Sequence, residues 1–383
     1  MFPRLLRHRW MDEDIEAFRE QVRRYIAGEL SPHLDGWRRQ GFIPREAWRP
    51  FGRMGFLLPE LDEAYGGAGA SLAYQLVVQD ELARAEFPAN TGVHNLAAHY
   101  ILDYGTEAQK RRWLPLLASG ERLAGIALTE PGCGSDLKAL RTRARRDGDD
   151  YVIDGAKTFI TNGFTGNLLV VAVRTGDAGS RGVSLIVLET DQLPGFRVGR
   201  RLEKLGQHAS DTAELFFDGV RVPADQLLGG EEGHGFVQLM SQLSYERLFL
   251  CVPAAAAIER AVELTVAYTQ QRQAFGQTVF DFQNTRFKLA ECATIAHVVR
   301  SFVNDCIQRL VDGTLDQEAA YMAKLWCTEQ QGKVMDECLQ LFGGYGYMVE
   351  YPIARLYADA RIQRIYGGTS EIMKDLIARK LVG

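Results

Sequence analysis

Residues 126–136 read IALTEPGCGSD and residues 155–163 read GAKTFITNG. Together they concentrate the residue types that hold a polar ligand. In the first, an apolar run feeds Thr129, Glu130, Pro131, Gly132, Gly134, Ser135 and Asp136. Small residues and turn formers there leave backbone N–H groups and hydroxyls free to face a ligand. The second follows Asp154–Gly155, which predicts a turn, and then alternates apolar and polar residues up to Asn162–Gly163. Both predict strand–loop units with hydrogen-bonding groups at their tips. Taken alone, Thr129 and Thr161 equally suit strand ends whose hydroxyls satisfy nearby backbone.

Three C-terminal stretches add polar groups. QQRQAFG (270–276) puts Arg272 in a polar run that interrupts a helical pattern. QLFGG (340–344) ends a helix on two glycines. IYGGTSE (365–371) sets Gly367–Gly368 before a helix capped by Thr369 or Ser370, and a helix N-terminus with hydroxyls is a ready anion site. Singly, these also read as a surface arginine, a glycine C-cap and an N-cap. In LMSQLSYERLFL (239–250), Glu246 shares one helical face with Phe236, Leu239, Leu243 and Leu250. Burial in such a stripe disfavours the ionised carboxylate and raises its pKa. That suits a general base at neutral pH, although a pair with Arg247 is the plainer reading.

Other chemistries lack their signatures. Gly132-Cys133-Gly134 and Gly344-Tyr345-Gly346 lack the third glycine and the strand–helix setting of a nicotinamide fingerprint. There is no phosphate-binding GxxxxGK[ST], no GxSxG and no HExxH. His94 and His99 are wrongly spaced for one helix face, so no metal site is expected.

The elements that must position these groups change character twice. Up to about residue 120 the pattern is helical: Ile15, Phe18, Val22 and Ile26 predict a helix over 11–30 ending before Pro32, and 71–84 and 107–118 follow. Short β-branched runs at 151–153, 168–173, 183–188 and 212–222 predict a small β-sandwich or barrel. After Gly233 the chain is helical again, with long amphipathic helices over 281–311, 316–341 and 370–381 whose surplus apolar faces suit burial against other subunits.

Composition sets outer bounds. The 383 residues are 46% hydrophobic and 24% charged with a net charge of −5. This is a globular chain of two or three units for which nonspecific nucleic-acid binding is excluded as the main task. The cysteines, Cys133, Cys251, Cys292, Cys306, Cys327 and Cys338, form no CxxC and read as reduced core thiols. No apolar run is long enough for a membrane span. The Arg-rich start, MFPRLLRHRWMDEDIE, lacks a signal-peptide core and reads as a bacterial-type N-terminus.

The paired segments, the C-terminal motifs and the helix–strand–helix order resemble the acyl-CoA dehydrogenase family, in its long-chain and isovaleryl-like branch, over essentially the whole chain. The resemblance implies an α+β fold with an N-terminal helical domain (1–122), a middle β-sandwich or barrel domain (123–230) and a C-terminal helical bundle (231–383). It implies FAD, held by Ile126, Leu128, Thr129, Gly134, Ser135, Phe159 (where many relatives carry Trp), Ile160 and Thr161. Arg272 and Gln340, Leu341, Phe342, Gly343 and Gly344 would join from a neighbouring subunit, Gln283 would also contact the cofactor, and Thr369, Ser370 and Glu371 would meet it too. Ser135, Tyr245, Arg247, Gly367 and Gly368 are the implied substrate contacts. Many relatives place the base in the C-terminal loop as Tyr-Glu-Gly-Thr. Here the loop is Tyr366-Gly367-Gly368-Thr369, and the long-chain and isovaleryl branch instead carries the base on the helix of Glu246. The activity implied is α,β-dehydrogenation of an acyl-CoA, long-chain or branched, to the trans-2-enoyl thioester. Electron-transfer flavoprotein is the implied electron acceptor, the assembly a homotetramer, and the compartment the bacterial cytoplasm or, in a eukaryote, the mitochondrial matrix. An acyl-CoA oxidase or flavin monooxygenase on the same fold, and a non-catalytic assembly factor, are the alternatives. The retained Glu246 speaks against the last.

Overall fold

Caps and apolar spacing set the first helices of the computed structural model, which describes residues 9–88, 90–177 and 179–381. Most of the Arg-rich start therefore lies outside the described residues. Helix α1 (Glu13–Tyr25) begins at Asp12, whose carboxylate accepts the Ile15 N–H at 2.8 Å. The chain does not stop before Pro32. A π turn over Ile26–Leu30 and a 3-10 turn over Ser31–His33 carry it into α2 (Leu34–Gln40). Proline is tolerated there because a first-turn N–H has no intrahelical acceptor. After α3 (Trp48–Arg53) come α4 (Leu72–Arg84), α5 (Asn90–Tyr104) and α6 (Glu107–Ala118), the last opened by a reciprocal Thr106–Gln109 capping box.

The middle of the chain is one seven-stranded sheet. Its strands are β1 (Ala124–Ala127), β2 (Arg143–Asp147), β3 (Asp150–Thr161), β4 (Leu168–Arg174), β5 (Val183–Glu189), β6 (Phe196–Arg201) and β7 (Thr212–Pro223). The order is β1-β4-β2-β3-β7-β6, with β5 on β4, and β1 runs parallel to β4. The expected turn at Asp154–Gly155 is instead a bulge inside β3, where the register with β7 skips between Ile153 and Gly155. Only glycine fits: its φ is 150°, and a Cβ would fall 2.6 Å from Thr142 Oγ1. The β2–β3 turn lies at Gly148, with φ 64°.

Helix α7 (Gly235–Gln271) opens the C-terminal part and is followed by a small hairpin of β8 (Gln273–Ala274) and β9 (Gln277–Thr278). Then come α8 (Gln283–Val311), α9 (Gln317–Phe342), α10 (Pro352–Ala360) and α11 (Ser370–Leu381). Helix α7 is the hub. Its Leu248, Val252, Ala255 and Ile258 share one core with residues of α4, α8, α9 and α10. All six cysteines are buried and unpaired. Helices and sheet are tied by His94 of α5. Its Nδ1 accepts the Ala124 N–H at 3.1 Å and its Nε2 lies 3.1 Å from the Leu117 carbonyl. Burial pushes its pKa down to about 4, which keeps the neutral tautomer both bonds require. No described helix is long and apolar enough to cross a membrane.

Candidate active site

A cavity of about 280 Å³ opens where α4, α5, α7 and α10 meet the tips of β1 and β3. It brings together Ile126, Leu128, Thr129, Phe159, Ile160, Thr161, Glu246 and Gly367, residues far apart in the sequence.

The strand-tip wall is anchored from below. The Thr158 N–H donates to the Thr129 carbonyl at 2.9 Å, and Lys157 Nζ reaches the Leu128 carbonyl at 3.0 Å and Glu130 Oε1 at 2.9 Å. Glu130 also accepts the Arg141 and Thr142 N–H groups, at 2.7 and 2.8 Å. Burial pulls the Lys157 pKa down to about 8 against the pull of Glu130. On this base Phe159 sits at φ 60°, left-handed for a bulky residue, with 67% of its surface exposed. Such a backbone costs roughly 1–3 kcal/mol. An aromatic face turned outward at that cost, beside the Thr129 and Thr161 hydroxyls, fits a planar polar ring system such as a flavin.

Glu246 faces the cavity from α7. It is half-buried, with Phe249, Leu250, Pro253 and Ala257 continuing its wall. Burial raises its pKa, while the buried Tyr100 hydroxyl, which donates to Oε1, and the nearby Arg247 charge pull it back. Two other carboxylates line the cavity and both are engaged. Glu86 pairs with Arg355 at 2.9 Å and Arg38 at 3.3 Å, and Asp359 accepts the Gln207 N–H. Glu246 makes no ion pair with Arg247. That guanidinium is buried over the Tyr321 ring at 4.4 Å, and its Nε and Nη1 find no acceptor.

The other expected residues divide. Tyr245 points away from the cavity, its hydroxyl 2.5 Å from Asn95 Oδ1 and its ring against His99 at 4.6 Å. The neighbouring position on a helix faces about 100° away, so Tyr245 belongs to a buried polar cluster with Asn95 and His99 instead of the substrate wall. Gly134 and Ser135 are exposed on the loop after β1, outside the cavity lining. Thr369 is the cap of α11, its Oγ1 accepting the Ile372 N–H at 3.3 Å. Ser370 is buried and turns to Glu329 at 2.6 Å, and Glu371 is exposed. Gly368 presents its carbonyl to Lys324 Nζ at 2.5 Å.

Arg272, Gln340, Leu341, Phe342, Gly343 and Gly344 form a separate pocket of about 580 Å³ with Tyr268 and Tyr345. Tyr268 stacks on Phe342 with ring centres 4.1 Å apart, and the Arg272 guanidinium lies 5.7 Å from the Tyr345 ring centre. This pocket shares no lining residue with the Glu246 cavity. Gln283 is exposed at the start of α8, outside its lining. Tyr100 and Lys157 are the neighbours that sequence reasoning missed. Lys157 lies inside the GAKTFITNG run, whereas nothing in the sequence pairs Tyr100 with a residue on α7.

Three acyl-CoA dehydrogenase family models, for the N-terminal, middle and C-terminal domains, match residues 12–121, 125–220 and 233–382. The mitochondrial long-chain specific acyl-CoA dehydrogenase of Mus musculus is 45% identical over 372 residues, which span 96% of this chain and 86% of that protein. The crystal structure of an acyl-CoA dehydrogenase from Geobacillus kaustophilus superposes with a TM-score of 0.95 at 46% identity, covering 98% of this chain and 99% of that one. A glutaryl-CoA dehydrogenase from Mycobacterium smegmatis in complex with FADH2 superposes at 0.91 with 31% identity, covering 98% and 96%.

Proposed function

Because this chain belongs to the acyl-CoA dehydrogenase family of oxidoreductases, we propose that it is an FAD-dependent dehydrogenase that converts a long-chain or branched acyl-CoA to the trans-2-enoyl thioester, with Glu246 as its base. One observation carries the assignment of the base. Of the three carboxylates among the described residues lining the cavity, Glu246 alone has neither an ion pair nor a backbone N–H bond to its carboxyl. A carboxylate left unpaired in a largely apolar wall has the basicity to take a Cα proton.

Thr129, Thr161 and Phe159 would hold the flavin ring, and the Arg272–QLFGG pocket suits the phosphate and adenosine end of an FAD bound mainly to another chain. Bound FAD supplies the two-electron acceptor for the β-carbon. The protein's residues do the rest. Tyr100 holds one oxygen of the Glu246 carboxyl and leaves the other to take the Cα proton. Gly367, on the cavity wall, offers a backbone N–H to polarise the thioester carbonyl and so acidify Cα. Phe249 and Leu250 exclude water beside the base. Sharing FAD between chains makes the enzyme an oligomer, which we take to be a homotetramer. Exposed Phe287 on α8 and Met322 and Trp326 on α9 supply apolar surface for it. Electron-transfer flavoprotein is the proposed electron acceptor, and the bacterial cytoplasm or mitochondrial matrix the compartment. Anaerobic mixing with acyl-CoA should bleach the flavin, and the reduced enzyme should be reoxidised faster by electron-transfer flavoprotein than by oxygen. Faster reoxidation by oxygen would make it an oxidase.

A further inference from the structure

The cavity beyond Glu246 is not apolar throughout. On α7 the wall runs from Glu246 through Leu250 and Pro253 to Ala257, about 16 Å by helical rise. A second wall comes from α9 and the turn after α10, and it carries Gln331 and Gln363. These side chains are only 3% and 4% exposed, yet the Oε1 of each has no hydrogen-bond partner. The Tyr366 hydroxyl, on the same cavity, is buried and equally unpartnered.

Three other polar residues of the cavity are already engaged elsewhere. Gln79 is bonded to Thr91 at 3.3 Å, Glu86 to two arginines, and Asp359 to the Gln207 N–H. A buried polar group left unmade is costly, and a wall selected for alkyl chains alone would use Leu or Met at these positions. The complement is a neutral group, because no Lys or Arg is among the described residues lining the cavity, and a buried carboxylate would need one. It must also donate as well as accept, because two amides and a phenol present both kinds of partner. A hydroxyl meets both conditions.

We propose that the preferred substrates are acyl-CoAs with a hydroxyl on the chain beyond the two reacting carbons, where Gln331, Gln363 and Tyr366 meet it. The inference rests on the acyl-CoA reading above and narrows its substrate class. The test uses the purified FAD-loaded enzyme, mixed anaerobically with dodecanoyl-CoA or with dodecanoyl-CoA bearing one hydroxyl at successive positions, and compares kcat/KM for flavin bleaching. At least one hydroxylated isomer should exceed the plain thioester by about three- to tenfold. Gln331→Met and Gln363→Met, tested singly and together, should shrink that ratio toward or below one. Retained flavin absorbance identifies the variants that fold, and the wild-type ratio stands on its own if none do. Bleaching by dodecanoyl-CoA with no hydroxylated isomer preferred overturns the proposal and leaves the dehydrogenase reading intact. So does a preference that survives in the Met variants. No bleaching by any of these thioesters overturns both.

Discussion

Gly367 sets how far the active site could be rebuilt with the base on the C-terminal loop. Its φ is 62°, and a Cβ there would lie 2.4 Å from Leu250 Cδ1. A left-handed L-residue costs roughly 1–2 kcal/mol, and a forced methyl in a packed wall about 1–3 kcal/mol. Gly367→Ala should therefore lose about 2–5 kcal/mol, toward the lower end because the clashing atom ends a flexible side chain. Leu250→Ala in the same chain removes the clash but not the backbone strain. The two substitutions should then couple favourably by about 1–3 kcal/mol in a double-mutant cycle. Denaturant unfolding at fixed protein and FAD concentration measures it. Additive losses, or a Gly367→Ala chain as stable as wild type, would refute the reasoning. The cycle also bears on function: Gly367→Glu in a Glu246→Gln background should recover flavin reduction only when Leu250 is also shortened.

Two further outcomes follow from the geometry. Tyr100→Phe removes the hydroxyl that favours the ionised Glu246, so the pKa of Glu246 rises further above the usual carboxylate value. Only the ionised form is a base, so the acid limb of kcat/KM should move to higher pH, with the largest loss on the acid side; an unmoved limb in a pH profile would refute the contact. Arg272→Ala should weaken FAD retention by on the order of 1–3 kcal/mol, measured by flavin release on dilution, if its pocket holds the cofactor's phosphates.

The long amphipathic helices were legible because their periods are long: 281–311 and 316–341 differ by two residues or fewer from α8 and α9. Helix α5 was not, because His94, Asn95 and His99 interrupt the apolar pattern, and their polar groups are satisfied by partners distant in sequence. Strand β1 was legible as the apolar run ahead of Thr129, whereas β2 and β6 were missed because they are Arg-rich and have few buried positions. Asp154–Gly155 misled because the same dipeptide serves a turn or a bulge, and only the pairing with β7 decides between them. In the cavity, Glu246 could be read from an acid in an apolar stripe. Tyr245 could not be set apart from it, since helical phase relative to α5 is a tertiary fact. The unpartnered amides of Gln331 and Gln363 have no sequence signature, because burial alone makes them unusual.

The role of Glu246 is tested most directly by anaerobic stopped-flow reduction of the flavin in Glu246→Gln. This substitution keeps the side chain's shape and an acceptor for Tyr100 while removing the proton acceptor. Acyl-CoA should still bind and perturb the flavin spectrum, reduction should slow by roughly 10²–10⁴-fold, and stability at neutral pH should not fall, because no Glu246–Arg247 ion pair is lost. Reduction at the wild-type rate, with or without a loss of stability, would contradict the assignment of Glu246 as the base.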